Sequence, residues 1–195
     1  MKIETKSASR ISDQKMYILY CTIAGLISVW AISGLLVLVD YISGTPTGTF
    51  FAVIGISLGI NDPTIAQYVG FALHLLTGTV AGNVYGQVSI FWRKMAPVDY
   101  KRGIMIGLVA GFVLWAMLFV PLATFGIQPK LDSYAISAPN QYIYDIANHF
   151  QGTYGLIIGG SLVFHLAYGT LLGLLAGRMT EMRVFLSRGN SVSLQ

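Results

Sequence analysis

The chain has 195 residues, of which 54% are hydrophobic and 10% are charged, and its formal net charge is +4. Soluble domains carry roughly a quarter charged residues, so this composition indicates lipid as the solvent. The basic residues form short clusters between apolar runs, which argues against a nucleic-acid-binding protein, whose charge is concentrated on one face. The single cysteine, Cys21, excludes an internal disulfide and a multi-cysteine metal site, and we expect it to be a packing residue.

Four long stretches lack Asp, Glu, Lys and Arg. They lie between Lys15 and Asp40, Asp62 and Arg93, Arg102 and Lys130, and Asp145 and Arg178. Each exceeds the roughly 20 residues that a helix needs to cross a hydrocarbon core of about 30 Å, and none alternates as a barrel strand would. They predict an all-α fold: a four-transmembrane-helix bundle in a single membrane domain, 1–195, with spans at about 17–39, 64–91, 103–125 and 155–178.

The basic residues predict the sidedness of these spans. Eleven of the twelve precede span 1, separate spans 2 and 3, or follow span 4; they are Lys2, Lys6, Arg10, Lys15, Arg93, Lys94, Lys101, Arg102, Arg178, Arg183 and Arg188. The positive-inside rule then places both termini in the cytoplasm of a multi-pass cell-membrane protein. Anionic lipids at that face are candidate partners, and nucleic acid is not. Span 1 is too long for a signal peptide, and we expect it to remain as an anchor.

Spans 2 and 4 share an internal repeat at an offset of 91 residues. Residues 74–86 and 165–177 both read H-L-x-x-G-T-x-x-G-x-x-x-G. Both spans run in the same direction, so we predict a parallel two-fold repeat of helix pairs, about 16–92 and 103–178, followed by a cytoplasmic tail at 179–195. Small residues let membrane helices approach closely. The predicted helix-packing residues are Gly78, Gly82, Gly86, Gly169, Gly173 and Gly177.

The two outer loops are predicted to contain short interfacial helices. The first loop has an apolar run at 50–60 and closes with Asp62 and Pro63, which can cap span 2 and occupy its first helical position. The second loop has Pro139 followed by apolar residues at helical spacing over 142–150.

The His-Leu and glycine pattern resembles that of small, uncharacterised four-helix membrane proteins of archaea and bacteria, in which it recurs in paired halves. The resemblance covers about 13 residues in each of two helices and implies a fold without an assigned reaction. In size and architecture alone, the chain is also similar to accessory subunits of membrane metalloenzyme complexes such as archaeal ammonia monooxygenase.

The histidines at the start of the repeat, His74 and His165, are the sharpest candidate site. An ionisable residue at membrane depth usually faces the bundle interior and a partner. Two imidazoles at one level can bind a metal, relay protons or hold a ligand, but they can also be packing residues bonded to a carbonyl or hydroxyl. No carboxylate or second thiol accompanies them in the spans, so a third metal ligand would have to come from a partner chain.

A weaker metal candidate lies in the second outer loop, where Asp145 and His149 have the i, i+4 spacing of a helical chelate. A solvated helix face explains the same spacing.

Phosphate-loop, zinc-protease and nucleophile-elbow motifs do not occur, so we predict no catalytic residue, no cofactor and no enzyme activity. The leading hypothesis is a non-catalytic membrane subunit that packs with and stabilises a larger complex of integral membrane subunits. The alternative is a small transporter, channel or solute- or metal-binding module that uses the two histidines.

Overall fold

A computed structural model describes the backbone of residues 2–92, 97 and 99–192 and the side chains of residues 14–92, 97 and 99–182. The elements are α1 (Lys2–Ser43), α2 (Thr49–Ser57), α3 (Pro63–Phe91), α4 (Tyr100–Leu114), two π-helical segments (Trp115–Phe119 and Leu122–Ile127), α5 (Gln128–Ile136) and α6 (Gln141–Val192). These described residues contain no strand. The all-α prediction is confirmed.

Four helices in the described residues are long and apolar enough to cross a membrane, as predicted. They are Gln14–Ser43, Pro63–Phe91, Tyr100–Ile136 and Gln141–Met182. Three of them extend well beyond the predicted spans, because the apolar window marks the length in lipid, whereas a helix ends where its backbone bonding ends. The helix α1, for example, continues through Asp40 and ends just before Gly44, which adopts a φ of 71°.

The start of α3 follows the prediction. Asp62 has an extended backbone, and its side chain accepts a hydrogen bond of 2.8 Å from the Ile65 amide, while Pro63 occupies the first helical turn. The same device starts two further helices. Asp99 accepts from the Arg102 amide at 2.8 Å, and Asn140 accepts from the Ile143 amide at 3.0 Å. These side chains satisfy amides that have no partner within the helix.

The third long helix is interrupted by two wider, π-helical turns, each of which precedes a proline. Proline has no amide hydrogen, and its ring clashes with the carbonyl four residues earlier in a regular α-helix. For Pro121 that carbonyl belongs to Met117, in the first π segment, and for Pro129 it belongs to Phe125, in the second. The wider turns accommodate both rings, so the helix continues to Ile136.

The prediction of a separate short helix after Pro139 is wrong. Residues 142–150 are helical, but they form the first turns of α6, which continues into the fourth span. Gly152 and Gly155 do not end the helix, because glycine only weakens a helix that packing supports. The first loop does contain a separate short helix, α2. Its Phe51, Ala52, Val53, Gly55 and Ile56 are buried, so it is enclosed by protein.

The long helices pack in pairs, α1 with α3 and α4 with α6, and α1 also packs along α6. In the described residues α3 and α4, which an exact two-fold would place in the same relation as α1 and α6, make marginal contact at most. A common core combines buried residues of α1, α3 and α6 with partly buried residues of α4. Its buried members are Cys21, Ala24, Val29, Ile32, Tyr85, Tyr168, Leu172 and Ala176.

A second core joins the two pairs at one end of the helices, which we call the cap end. The opposite end, where α3 ends and α4 begins, is the terminal end. Residues of α2, α3, the second π segment, α5 and α6 contribute to it. They are Ala52, Val53, Ile56, Ala66, Ile127, Leu131, Tyr134, Ile143, Ile146, Ala147 and Phe150. The fully buried Asp40 fixes the neighbouring turn, because its Oδ2 accepts from the Gly48 amide at 2.7 Å.

The basic residues behind the predicted sidedness fall mostly outside the described side chains. Those outside are Lys2, Lys6, Arg10, Arg93, Lys94, Arg183 and Arg188. Of the described ones, Arg178 lies 4.5 Å from the centre of the Tyr100 ring and 3.9 Å from Glu181. Sidedness therefore stays a prediction.

Candidate functional site

The glycines of the fourth span lie against the backbone of α4 and of Asp99, the residue before it. All three predicted positions, Gly169, Gly173 and Gly177, are buried. A Cβ atom added at Gly169 would overlap the carbonyl oxygen of Gly107, and one added at Gly177 would lie 2.7 Å from the Asp99 oxygen. The two backbones are therefore in direct contact, and no larger residue fits without a shift.

The glycines of the second span contact α1 in the same way, but mostly against larger residues. An added Cβ at Gly82 would lie 2.7 Å from the Cα of Gly25, whereas Gly78 faces Val29 and Gly86 faces Cys21. All three positions are buried. The buried Cys21 is thus a packing residue at this contact. Each glycine ladder meets the partner helix of its own pair, so the two ladders do not pack against each other.

The two histidines lie at the same level, on adjacent faces of α3 and α6. The hydroxyl of Tyr168 donates a buried hydrogen bond of 2.5 Å to the carbonyl oxygen of Gly78. Tyr168 follows His165 by three residues and Gly78 follows His74 by four, and both helices run from the cap end to the terminal end. His74 and His165 therefore lie at one level, about one helical turn from this bond toward the cap end.

Each imidazole rests against a phenylalanine ring from outside its own helix. The centroid of the Phe51 ring, on α2, lies 5.5 Å from that of His74, with the planes at 51°. The centroid of the Phe119 ring, in the first π segment, lies 5.1 Å from that of His165, with the planes at 53°. The pair is therefore bounded by aromatic rings supplied by two elements that the internal repeat does not relate.

A hydrogen bond fixes the ring of His165, whereas Nε2 of His74 has no hydrogen-bond partner among the described residues. Nδ1 of His165 is 2.8 Å from the carbonyl oxygen of Ser161, which can only accept, so Nδ1 carries the proton. The indole of Trp115 donates to the Ser161 hydroxyl at 3.1 Å and holds the same turn. Nε2 of His74 is buried and has no hydrogen-bond partner among the described residues. An unpaired buried nitrogen costs about 1–3 kcal/mol, so it is unusual in a purely structural histidine.

The other predicted metal candidate, Asp145 and His149, lies away from the two histidines of the repeat and stays a prediction. Asp145 and His149 lie on the exposed side of α6, and the Asp145 carboxylate accepts a hydrogen bond of 2.8 Å from Gln141. Within residues 14–92, 97 and 99–182, no group of three or more His, Cys, Asp or Glu side chains could hold a metal ion.

Sequence reasoning missed the residues that receive the ladders and those that surround the histidines. Gly103, Gly107 and Gly111 on α4 are buried against α6, and their i, i+4, i+8 spacing is visible in the sequence. Phe51 and Phe119 carried no comparable signal. Their positions depend on α2 folding back over α3 and on the π turns of the third helix.

The four long apolar helices indicate a multi-pass membrane protein. No protein-family model, curated protein or solved structure matches the chain.

Proposed function

We propose that the protein is a non-catalytic membrane subunit that packs through the cap-end half of α6 against a helix of another integral membrane protein. The observation that carries the proposal is a face of α6 on which small residues stay uncovered. Its glycines are Gly152, Gly155, Gly159 and Gly160. They are exposed, and a Cβ added at any of them would meet no neighbouring atom of the described residues within 4 Å.

The other half of the same helix shows what glycines do where a second helix covers them. At Gly169, Gly173 and Gly177 the missing side chains are used, because α4 lies directly against the backbone. Glycine weakens a helix by about 0.5–1 kcal/mol relative to alanine, so four uncovered glycines are costly unless something packs on them. In lipid the typical use of small residues at i and i+4, as at Gly155 and Gly159, is a close helix contact.

The shape of the face also fits a helix. Leu156 and Val163 lie on the same side of α6 at helical spacing and are 77% and 65% exposed. They form ridges beside the glycine groove, the arrangement into which a second helix packs. His165 lies on the opposite side of α6, so the docking face and the histidines are separate features.

Copurification from native membranes tests the proposal. The double variant Gly155→Leu, Gly159→Leu fills the groove, and we expect it to lose the partner subunits that copurify with the wild-type chain. Gly34→Leu is the matched control, since Gly34 is a similarly exposed glycine on α1 whose added Cβ would meet no neighbouring atom of the described chain within 4 Å. Retention of partners by the double variant, or a stable wild-type monomer that moves a solute in liposomes, would refute the subunit function.

The finer architecture belongs to the same proposal. The two pairs are a duplicated unit in parallel orientation, supported by the shared residues 74–86 and 165–177 and by the similar ladder contacts within each pair. Both termini face the cytoplasm, supported by the charge distribution, and anionic lipids contact that side. The partner class we favour is a membrane metalloenzyme assembly, on architecture alone, and the copurified subunits would identify it.

A further inference from the structure

The structure places the imidazoles of His74 and His165 at one level on adjacent faces of α3 and α6, and no carboxylate of the described residues forms a hydrogen bond or ion pair with either ring. We propose that His74 and His165 form a two-coordinate site for a monovalent soft metal ion, Cu(I), at the contact between α3 and α6. The site is independent of the docking face of α6.

The hydrogen bonds supply the required lone pairs. Because Nδ1 of His165 donates to the Ser161 carbonyl oxygen, Nε2 of the neutral ring has a free lone pair. A bond from the other ring nitrogen to a carbonyl is also the usual support of a metal-bound histidine. Nε2 of His74 is buried and has no protein partner in the described residues. Two neutral imidazole nitrogens, one on each helix, therefore remain available to bind a metal ion.

The contact between α3 and α6 holds the two histidines at one level. The Tyr168 hydroxyl and the Gly78 carbonyl oxygen, 2.5 Å apart, fix α3 against α6 one turn from the imidazoles. Phe51 contacts the ring of His74 and Phe119 contacts the ring of His165, which limits the rotation of both imidazoles. Ligands held by packing and hydrogen bonds in this way need little reorganisation to bind an ion.

The donor set selects the ion. Zn²⁺ and Cu²⁺ usually take four or more ligands, and the described residues offer no group of three His, Cys, Asp or Glu side chains. Cu(I) has a filled d shell and accepts linear coordination by two nitrogens. Charge favours the same ion, because the cost of moving an ion into a low-dielectric medium rises with the square of its charge, about fourfold from +1 to +2. Because no carboxylate of the described part of the chain bonds to either imidazole, burying a monovalent ion here costs far less free energy than burying a divalent one.

Anaerobic titration of the detergent-purified full-length chain with Cu(I), in competition with a chromophoric Cu(I) chelator, tests the site. We expect one Cu(I) per chain, with Zn²⁺ bound far more weakly. His74→Asn and His165→Asn should each weaken Cu(I) binding by more than about 100-fold, since even a supporting residue of a metal site is worth 10–100-fold. The control His149→Asn removes the exposed histidine of α6 and should leave binding unchanged.

Two further variants separate the site from folding and from sulfur ligands. His74→Met replaces the imidazole with a thioether, which Cu(I) accepts, so it should restore most of the affinity that His74→Asn loses. Cys21→Ser should bind normally, and X-ray absorption should show two nitrogen ligands in the wild-type chain. Absence of Cu(I) uptake by folded protein, full binding by the His74, His165 double variant, sulfur coordination in the wild type, or equal affinity for Zn²⁺ would each overturn the proposal.

Discussion

Substituting Gly25 by alanine tests how closely α1 and α3 approach. A Cβ at this position would lie 2.8 Å from the Gly78 carbonyl oxygen and 2.8 Å from the Cα of Gly82, whereas ordinary contact begins at 3.4 Å. Both neighbours are backbone atoms that cannot rotate away. The two helices must therefore separate by roughly 0.6 Å, the difference between those distances, along their tightest contact.

The expected magnitude combines two opposing effects. Inserting a methyl group into a well-packed contact costs about 1–3 kcal/mol, while alanine stabilises a helix over glycine by about 0.5–1 kcal/mol. Gly34, on the same helix, has the second effect alone, because its added Cβ meets no neighbouring atom within 4 Å in the part of the chain that the structure describes. Gly25→Ala should therefore be less stable than Gly34→Ala by about 1–3 kcal/mol.

Reversible unfolding in mixed detergent micelles, followed by far-ultraviolet circular dichroism, measures this difference. Both variants should retain the helical signal of the wild type before denaturant is added. If Gly25→Ala and Gly34→Ala unfold within about 0.5 kcal/mol of each other, which is the usual size of a surface effect, the two backbones are not in direct contact at Gly25.

Four further substitutions test other contacts by the same unfolding assay, with proteolysis added for the last of them. Gly107→Ala should destabilise by about 1–3 kcal/mol because its Cβ overlaps α6, whereas Gly159→Ala should not destabilise the isolated chain; equal effects would contradict the glycine contacts. Tyr168→Phe should cost about 0.5–1.5 kcal/mol by removing the hydrogen bond between α3 and α6, and no loss would show that this bond is absent. Asp40→Ala should cost about 1–3 kcal/mol and increase proteolysis after α1, because the buried Gly48 amide loses its acceptor; unchanged protease resistance would refute that role.

Local chemistry made the start of α3 predictable. An aspartate before a proline is enough to specify a helix start, because the carboxylate bonds the free amides and proline needs no amide partner. The end of the third span was not predictable from hydropathy. Pro121 and Pro129 could be taken as helix ends, yet two π turns carry the helix past both. Whether a helix bends or ends at a proline depends on the packing around it.

For the histidines, too, the sequence predicted some features and the tertiary structure decided others. The repeat predicts that His74 and His165 occupy equivalent positions, and the structure places them at one level. The sequence could not show that phenylalanines from α2 and the third helix contact them, since those contacts join residues distant in the chain. Nor could it show that each ladder packs within its own pair.

The sequence by itself determined the class of protein, the number of long helices and which glycines are spaced for helix packing, because these features depend on composition, apolar length and local spacing. Tertiary structure alone decided which helices pair, that α1 packs on α6 while α3 and α4 scarcely meet, and which glycines on α6 stay uncovered. The physical reason is that every long helix has an apolar surface compatible with lipid or with another helix. Only close shape matching between backbones selects the neighbours, and it leaves Gly155 and Gly159 free on the chain's own surface.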